Sequence, residues 1–556
     1  MKAIELKIHN FRSLLDATVR LSPCGLLVGI NNSGKSSVID CIRAFYEKGL
    51  KFDSSRDFPK GQATDQESWA EIEFQPSTDE LESLKIEYKS PSGTFRVRKY
   101  FQSTENDSDE KTKSGLYAYV KEILSEERFY GFKNVGQGKF GELIYVPAVS
   151  KVDEHTKLTG PSALRDLVST VLTRVMEKSD AYHKLKQSFE NFEGSIKTEA
   201  TEEGFSLKSI EDDISAQISE WGTEFRLMVN PVGVDELVKG LVGHEIYDKA
   251  LQHSQSPSSY GQGFQRSLIY TLIRIAAKYA TPRKEPKKKE FSPELTWILF
   301  EEPEAFLHPT QISALSIDLR KLANTDTAQV LITTHSPQFT THNVNDLPSL
   351  CRLHREGCIS QAFQILKTEL DSILTSNQAD IAAWVAAGMT IDQDDLLTDM
   401  ESIKYSLWLD AKRCSAMFAE RVLLVEGPTE TALLSYLFDT GQLECCRGVY
   451  ILDTIGKFNI HRFMRLFGYL GIKHYALYDG DNGKHSPVEA TIKATVNKFT
   501  GGIDAFPIDI EDFLGVPRTS KPHRKPQHLM LKVVSGQVQQ KKLFALIQKV
   551  EKLIST

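Results

Sequence analysis

Residues Gly29 to Ser36, G-I-N-N-S-G-K-S, limit what this chain can fold into more than any other stretch, because an apolar strand precedes them and a helix follows. The pattern is G-x4-G-K-[ST]. Its glycines let backbone N–H groups turn inward on phosphate, Lys35 reaches the β and γ oxygens, and the Ser36 hydroxyl takes a place on Mg²⁺. The following helix points its positive end at the same anion. Asn32, Gly34, Lys35, Ser36 and Ser37 are therefore the expected loop contacts to ATP. A strand, a phosphate loop and a helix in that order predict an α/β lobe, with Ile4–Ile8 and Leu26–Val28 as strands and Lys35 through Tyr46 as the helix.

At 556 residues the chain has room for two to four domains and more than one core. No apolar run approaches the ~18 residues needed to cross a bilayer, and the N-terminus, MKAIELKIHNFRS, alternates like a strand and lacks a signal peptide's apolar core. A cytoplasmic location and no membrane partner are the expectation. Seven cysteines without a C-x2-C pair fit reduced thiols better than bridges or zinc. The net charge of −7 argues against indiscriminate coating of nucleic acid but leaves room for local basic surfaces. From Gly501 onward nine Lys/Arg face five Asp/Glu, a segment of +4. Pro282–Glu290, PRKEPKKKE, reads as a solvated loop or a nucleic-acid contact.

Trp69–Phe74, Leu84–Tyr88 and Phe95–Phe101 read as antiparallel strands added to the lobe, Thr104–Ser114 as a loop, and Leu143–Val146 as a buried strand. From Gly160 to Val229 the period changes. Leu164, Leu167, Val168, Val171, Leu172 and Val175 recur at helical spacing, as do Ile210, Ile214, Ile218 and Trp221. These two amphipathic helices either pack on each other or form a dimerisation element.

Leu295–Glu302, LTWILFEE, is an apolar run ending in two carboxylates. A buried strand of this kind delivers Glu301 to the Mg²⁺ sphere beside Ser36 and leaves Glu302 to orient or deprotonate the attacking water. A further strand, Val330 to Thr334, leads to His335, placed to sense or stabilise the γ-phosphate. Tyr260 to Arg266, YGQGFQR, reads as a glycine-rich turn leading into a helix at Ser267–Ala277. Gly261, Gly263 and Gln265 are suited to approach the γ-phosphate of a second copy. With one loop of the Gly29 type per chain, such capping in trans requires two copies.

NFRS at Asn10–Ser13, the Gly29 loop, GQGFQR, EEPEAFLHP and TTHSP together resemble the ABC-type ATPase heads of the SMC and recombination-repair kind, over roughly residues 1–370. The resemblance implies ATP sandwiched between two heads, with Arg12 near the nucleotide and His335 as the switch histidine. The sequence departs from that pattern twice: Glu301-Glu302 replaces the usual Asp-Glu pair, and GQGFQR lacks the Ser-Gly-Gly form.

After a helical connector, Asp371–Met417, the strand Arg421–Val425 ends at Glu426-Gly427, with Glu430 one helical turn further on. Val449–Leu452 is a strand, Thr454–Lys457 a turn, and His474–Tyr478 a strand ending in Asp479-Gly480-Asp481. A parallel sheet presents its catalytic edge at such positions. Three carboxylates from two strand ends cannot all stay ionised at close range without a cation, which points to Mg²⁺ or Mn²⁺.

The part from Phe418 to Thr556 resembles a Toprim domain. In this order the two parts resemble the overcoming-lysogenisation-defect (OLD) family of ATP-linked nucleases across essentially the whole chain. That resemblance implies an α/β ABC-type head (1–159 and 230–370) with a helical insertion (160–229), a connector (371–417) and a Toprim domain (418–556). It also implies that Glu426, Asp479 and Asp481 bind the catalytic metal, that Glu430 and Glu511 complete a second metal position, and that Lys525 stabilises phosphate charge. The chemistry implied is two-metal phosphodiester hydrolysis. The expected partners are DNA in preference to RNA, further copies of the chain as a homodimer or higher oligomer, and a defence-system protein or small nucleic acid. RNA cleavage, for example of tRNA, and an ATP-switched sensor with an inert Toprim lobe are the alternatives. No DNA-gate region with a placed tyrosine supports a topoisomerase, and no zinc ribbon supports a primase.

Overall fold

The computed structural model describes most of the chain; residues 107–111, 136–139, 228–242, 280–290, 326–327 and 341–342, most positions between 149 and 198, and some single positions lie outside the description. The chain divides into two compact units, Met1–Ala148 with Pro286–Thr556, and Val149–Glu285.

The first unit opens with a six-stranded antiparallel sheet, in the order Leu14–Arg20, Lys2–Phe11, Ser68–Gln75, Phe95–Gln102, Gly115–Val120 and Ile123–Arg128. Alternation puts Leu6, Ile8, Ile72, Phe74, Phe95 and Val97 into one core with Ile39, Ile42 and Phe45 of the helix Lys35–Tyr46. A second six-stranded sheet runs Ile359–Gln364, Leu350–Glu356, Cys24–Val28, Ala328–Thr333, Thr296–Glu301 and Glu142–Val146. Every pairing in it is parallel except the hairpin of the first two strands. Strands buried on both faces read as continuous apolar runs, as TWILFE and AQVLIT do.

Leu84–Tyr88 is not a strand. Ser77 and Glu80 form a reciprocal capping box that starts the helix Thr78–Ser83, and Ile86–Tyr88 is a single 3₁₀ turn. The cap satisfies the first N–H groups locally, and apolar alternation over five residues is too short to override it. Among the described residues Cys24, Cys41, Cys351, Cys358 and Cys414 are free thiols.

The connector is helical, with Lys367–Ala386 and Thr398–Trp408 as its main helices. It is fixed to the C-terminal part by a buried pair: Arg462 makes a two-pronged contact with Glu401 at 2.8 and 2.7 Å. A second attachment comes from the hairpin. Arg352 is fully buried, has no carboxylate partner among the described residues, and donates to four main-chain carbonyls, those of Met417, Ala419, Leu470 and Gly471, at 2.9–3.3 Å. The C-terminal sheet is parallel throughout, in the order Val449–Asp453, Arg421–Val425, Lys473–Asp479 and Thr500–Phe506.

In the second unit the helix Leu207–Ile218 carries Ile210, Ile214 and Ile218; of the expected partner helix Leu164, Val168 and Leu172 are helical, while Leu167, Val171 and Val175 lie outside the described residues, as do Trp221 and the basic run 282–290. A short ribbon, Ile246–Asp248 with His253–Gln255, precedes the helix Gln262–Tyr279. No helix among the described residues is long and apolar enough to cross a membrane.

Candidate nucleotide pocket and carboxylate site

The Gly29 loop lines a cavity of about 620 Å³ together with Arg12, Glu301, Glu302 and His335. Its glycines are conformational requirements. Gly29 has φ 140°, and a Cβ there would stand 2.2 Å from the Leu353 carbonyl; Gly34 has φ 105° and caps the helix. Lys35 is folded onto the loop itself, donating to the carbonyls of Gly29 and Ile30 at 3.0 and 2.9 Å. Burial lowers its pKa to about 8 against the opposing pull of Glu302 and Glu304. An anion of several negative charges is what such a buried, depressed ammonium lacks. Asn32, Gly34, Ser36 and Ser37 line the same cavity.

The strand Thr296–Glu301 ends with Glu301, which accepts a 2.7 Å hydrogen bond from Tyr145 on the neighbouring strand. Glu302 turns away from that line with φ 44°, its N–H held by the Thr333 carbonyl at 2.8 Å. That turn brings Glu302 Oε1 to 3.4 Å from His335 Nε2. Burial, helped by Lys35, lowers the His335 pKa, so the imidazole is neutral near pH 7. Glu304 receives the Thr334 hydroxyl at 2.8 Å and the His335 N–H at 2.6 Å, fixing the chain that presents the imidazole. Arg12 lines the cavity, but its guanidinium is engaged by Asp40 at 2.7 Å and Asp57 at 2.9 Å.

Gly261, Gly263 and Gln265 belong to the second unit. The helix begins at Gln262, not Ser267, because the Gly261 carbonyl already accepts the Gln265 N–H. The Gln265 side chain donates to the carbonyls of Tyr260 and Ser258, which ties the motif to its own loop.

In the C-terminal sheet the adjacent strands Arg421–Val425 and Lys473–Asp479 bring Glu426 and Asp479 to one edge. The Asp479 N–H donates to Glu426 Oε1 at 2.8 Å. Burial raises the pKa of Glu426 to about 7 against the Asp479 N–H and Lys457, which lower it, and burial followed by the charge of Glu426 raises that of Asp479 to about 8. Glu430, raised above the usual carboxylate range by burial, accepts the Gly427 N–H at 3.0 Å. Two lysines neutralise the rest. Lys525 stands 2.9 Å from Glu511 and 3.7 Å from Asp479. Lys457, buried, bonds the Asp479 carbonyl and stands 2.8 Å from Asp481 Oδ2. Burial pushes the Asp481 pKa up, but hydrogen bonds from Lys457 and His485 outweigh it and hold the group ionised.

Asp481 is thus drawn toward Lys457, and among the described residues no three His, Cys, Asp or Glu side chains are already arranged to hold a metal ion. The donor chemistry nevertheless suits a hard divalent cation: the candidate donors are carboxylate oxygens, and among the described residues Asp479 Oδ1 is buried without a hydrogen-bond partner.

Tyr145, Glu304 and Lys457 escaped the sequence reading. Tyr145 sits inside an apolar strand, where a tyrosine reads as core. Lys457 was legible only as part of a turn; its burial against Asp481 follows from the fold alone.

Two family models match the chain. The model described as an AAA ATPase domain covers residues 1–135 and 133–340, and the one described as the overcoming lysogenization defect protein-like TOPRIM domain covers residues 417–481. The chain is similar to the Old nuclease of Escherichia phage P2, 24% identical over 498 residues spanning 86% of this chain and 77% of that protein. It is also similar to Endonuclease GajA of Bacillus cereus (strain VD045), 23% identical over 507 residues spanning 86% and 75%. Among solved structures, an SMC head bound to the C-winged helix domain of ScpA matches at 13% identity and TM-score 0.37, covering 66% of this chain and 99% of that one.

Proposed function

This chain belongs to the AAA ATPase-domain family and carries an OLD-like Toprim domain behind it, and from that pairing we propose a divalent-metal-dependent endonuclease that cleaves DNA phosphodiesters under the control of ATP. The observation that carries the proposal is the pair Glu426, half-buried, and Asp479, buried, two carboxyls at the ends of adjacent strands whose pKa values stand at about 7 and about 8. Such a pair stays ionised at neutral pH only beside a cation. Mg²⁺ or Mn²⁺, two ions in all, would be held by Glu426, Asp479 and Asp481 and by Glu430 and Glu511. When bound, the ions supply a water of lowered pKa and take up charge on the leaving oxygen.

The chain's own residues supply the rest. Lys525, 2.9 Å from Glu511, sits where its ammonium takes charge on a phosphate oxygen, and Lys457 fixes Asp481 and the Asp479 carbonyl. In the nucleotide pocket Lys35 exchanges two loop carbonyls for phosphate oxygens, Ser36 and Glu301 hold Mg²⁺, and Glu302 accepts a proton from the water. The neutral His335, 3.4 Å from Glu302, orients that carboxylate and senses the γ-phosphate. Arg12 positions the loop through Asp40 and Asp57. A homo-oligomer, with Gly261, Gly263 and Gln265 closing a partner's ATP in trans, follows from the single phosphate loop per chain. The domain plan of the proposal is the head at 1–159 and 230–370, the insertion at 160–229, the connector at 371–417 and the nuclease at 418–556.

A role in bacterial defence against phage, in the cytoplasm, draws support from the name of the matched Toprim family and from the phage source of one relative. The test is a cleavage assay on plasmid DNA and on total RNA, with Mg²⁺ or Mn²⁺, with and without ATP. Metal-dependent nicking of plasmid that Asp479→Ala abolishes is the expected result. Cleavage of RNA alone overturns the DNA assignment, and cleavage that persists in Asp479→Ala overturns the site.

A further inference from the structure

Between Asp512 and Glu551 the sequence contains no aspartate or glutamate and eight lysines and arginines, in a chain whose net charge is −7. The structure places the first half of this stretch at the carboxylate site. The short helix Ile510–Leu514 carries Glu511, and Asp509 caps it. Arg518 pairs with Asp509, and Lys525 pairs with Glu511 at 2.9 Å. His528 Nε2 meets the Pro517 carbonyl at 3.1 Å and closes the base of the segment. The loop from Arg518 to Lys525 is therefore tied at both ends to the element that holds a site carboxylate.

Between those ties Lys521, His523 and Arg524 are exposed. Among the described residues Lys521 and Arg524 have no carboxylate partner. A loop fastened by ion pairs at its ends and left unneutralised in its middle holds positive charge at a fixed place. Beside it, Glu426, Glu430 and Asp479 repel an approaching polyanion to the extent that they are ionised, while Glu511 and Asp481 are held by Lys525 and Lys457. A phosphate chain reaches those acids only if neighbouring phosphates are compensated, and at close range fixed ammonium and guanidinium groups do this.

We propose that the loop Arg518–Lys525 is a backbone clamp for duplex DNA, with Lys521, His523 and Arg524 taking phosphates that flank the one delivered to the carboxylates. The proposal rests on the reading of this site as a DNA nuclease and adds where the substrate's backbone lies. Side chains of this type on a loop contact phosphate without reading bases, so the clamp is indifferent to sequence.

The test is a binding titration of the full-length protein on two short duplexes of unrelated sequence, in EDTA so that nothing is cut, across a series of KCl concentrations. Each phosphate contact contributes about 0.9 to the slope of log K on log salt. Lys521→Ala with Arg524→Ala is expected to lower that slope by about 2, equally on both duplexes, and Lys521→Glu with Arg524→Glu to weaken binding further. Circular dichroism and thermal melting report whether the variants are folded, and Lys521→Gln with Arg524→Gln serves as a second pair. An unchanged slope and affinity in folded variants, or a loss confined to one sequence, overturns the clamp. Cleavage by the wild type, assayed in parallel with Mn²⁺, separates the two readings. A wild type that cuts DNA while the variants bind as before overturns the clamp alone. A wild type that binds with the loop-dependent slope but cuts nothing supports the clamp and overturns the nuclease.

Discussion

The main-chain N–H of Asp479 donates to Glu426 Oε1 at 2.8 Å, across two parallel strands whose ends lie 53 residues apart in sequence. One carboxylate is thereby aimed at the backbone that carries the next, with Asp479 buried and Glu426 half-buried at the same sheet edge.

That burial has a consequence for stability against pH. In the folded chain the pKa of Glu426 rises from 4.5 to about 7 and that of Asp479 from 3.8 to about 8, so between roughly pH 4 and 8 the folded state binds more protons than the unfolded one. Stability falls wherever the folded state holds the extra protons and pH rises. The metal-free protein is therefore expected to melt at progressively lower temperature from pH 5 to pH 8, and Mg²⁺ or Mn²⁺ to reverse the loss most at the alkaline end. Differential scanning calorimetry in EDTA and in metal checks both.

Glu302→Gln is expected to keep ATP binding and to lower ATP hydrolysis by about 10²–10⁴-fold, the usual contribution of a positioned general base. Lys35→Ala is expected to lose binding as well, because the ammonium on the Gly29 and Ile30 carbonyls is the group a phosphate recruits. Nucleotide binding by fluorescence and phosphate release separate the two outcomes.

How much of this was legible in the sequence depends on how local each signal is. The helix Lys35–Tyr46 and the strand Arg421–Val425 match their expected bounds, because a glycine-bounded loop and a five-residue apolar run leave little choice. The sheet partners Gly115–Val120 and Ile123–Arg128 were not read at all, since ILSEER carries no apolar alternation and is paired only by its neighbour. The placement of Glu426 and Asp479 at the ends of adjacent strands was legible from the apolar runs that precede them. Lys457, whose ammonium reaches Asp481 at 2.8 Å, was not, because nothing between positions 457 and 481 signals that the two meet. Arg352 was equally silent: a single arginine in LCRLHRE reads as an exposed strand residue, and only the tertiary fold surrounds it with carbonyls.

Arg352 gives a further prediction. Replacing it with Ala leaves buried carbonyls without donors, at about 1–3 kcal/mol for each group left unsatisfied. Arg352→Ala is expected to lower the unfolding free energy by at least about 3 kcal/mol in urea titration. Arg352→Lys is expected to recover little, because a single ammonium cannot reproduce a planar fork reaching four carbonyls.

Calorimetric titration of Mn²⁺ into the nucleotide-free, full-length protein tests most directly the claim that the carboxylates at the Glu426 and Asp479 strand ends trap divalent ions. The account predicts saturable binding with proton release in the wild type and its loss in Glu426→Gln with Asp479→Asn. Equal binding by the wild type and the double variant would contradict it.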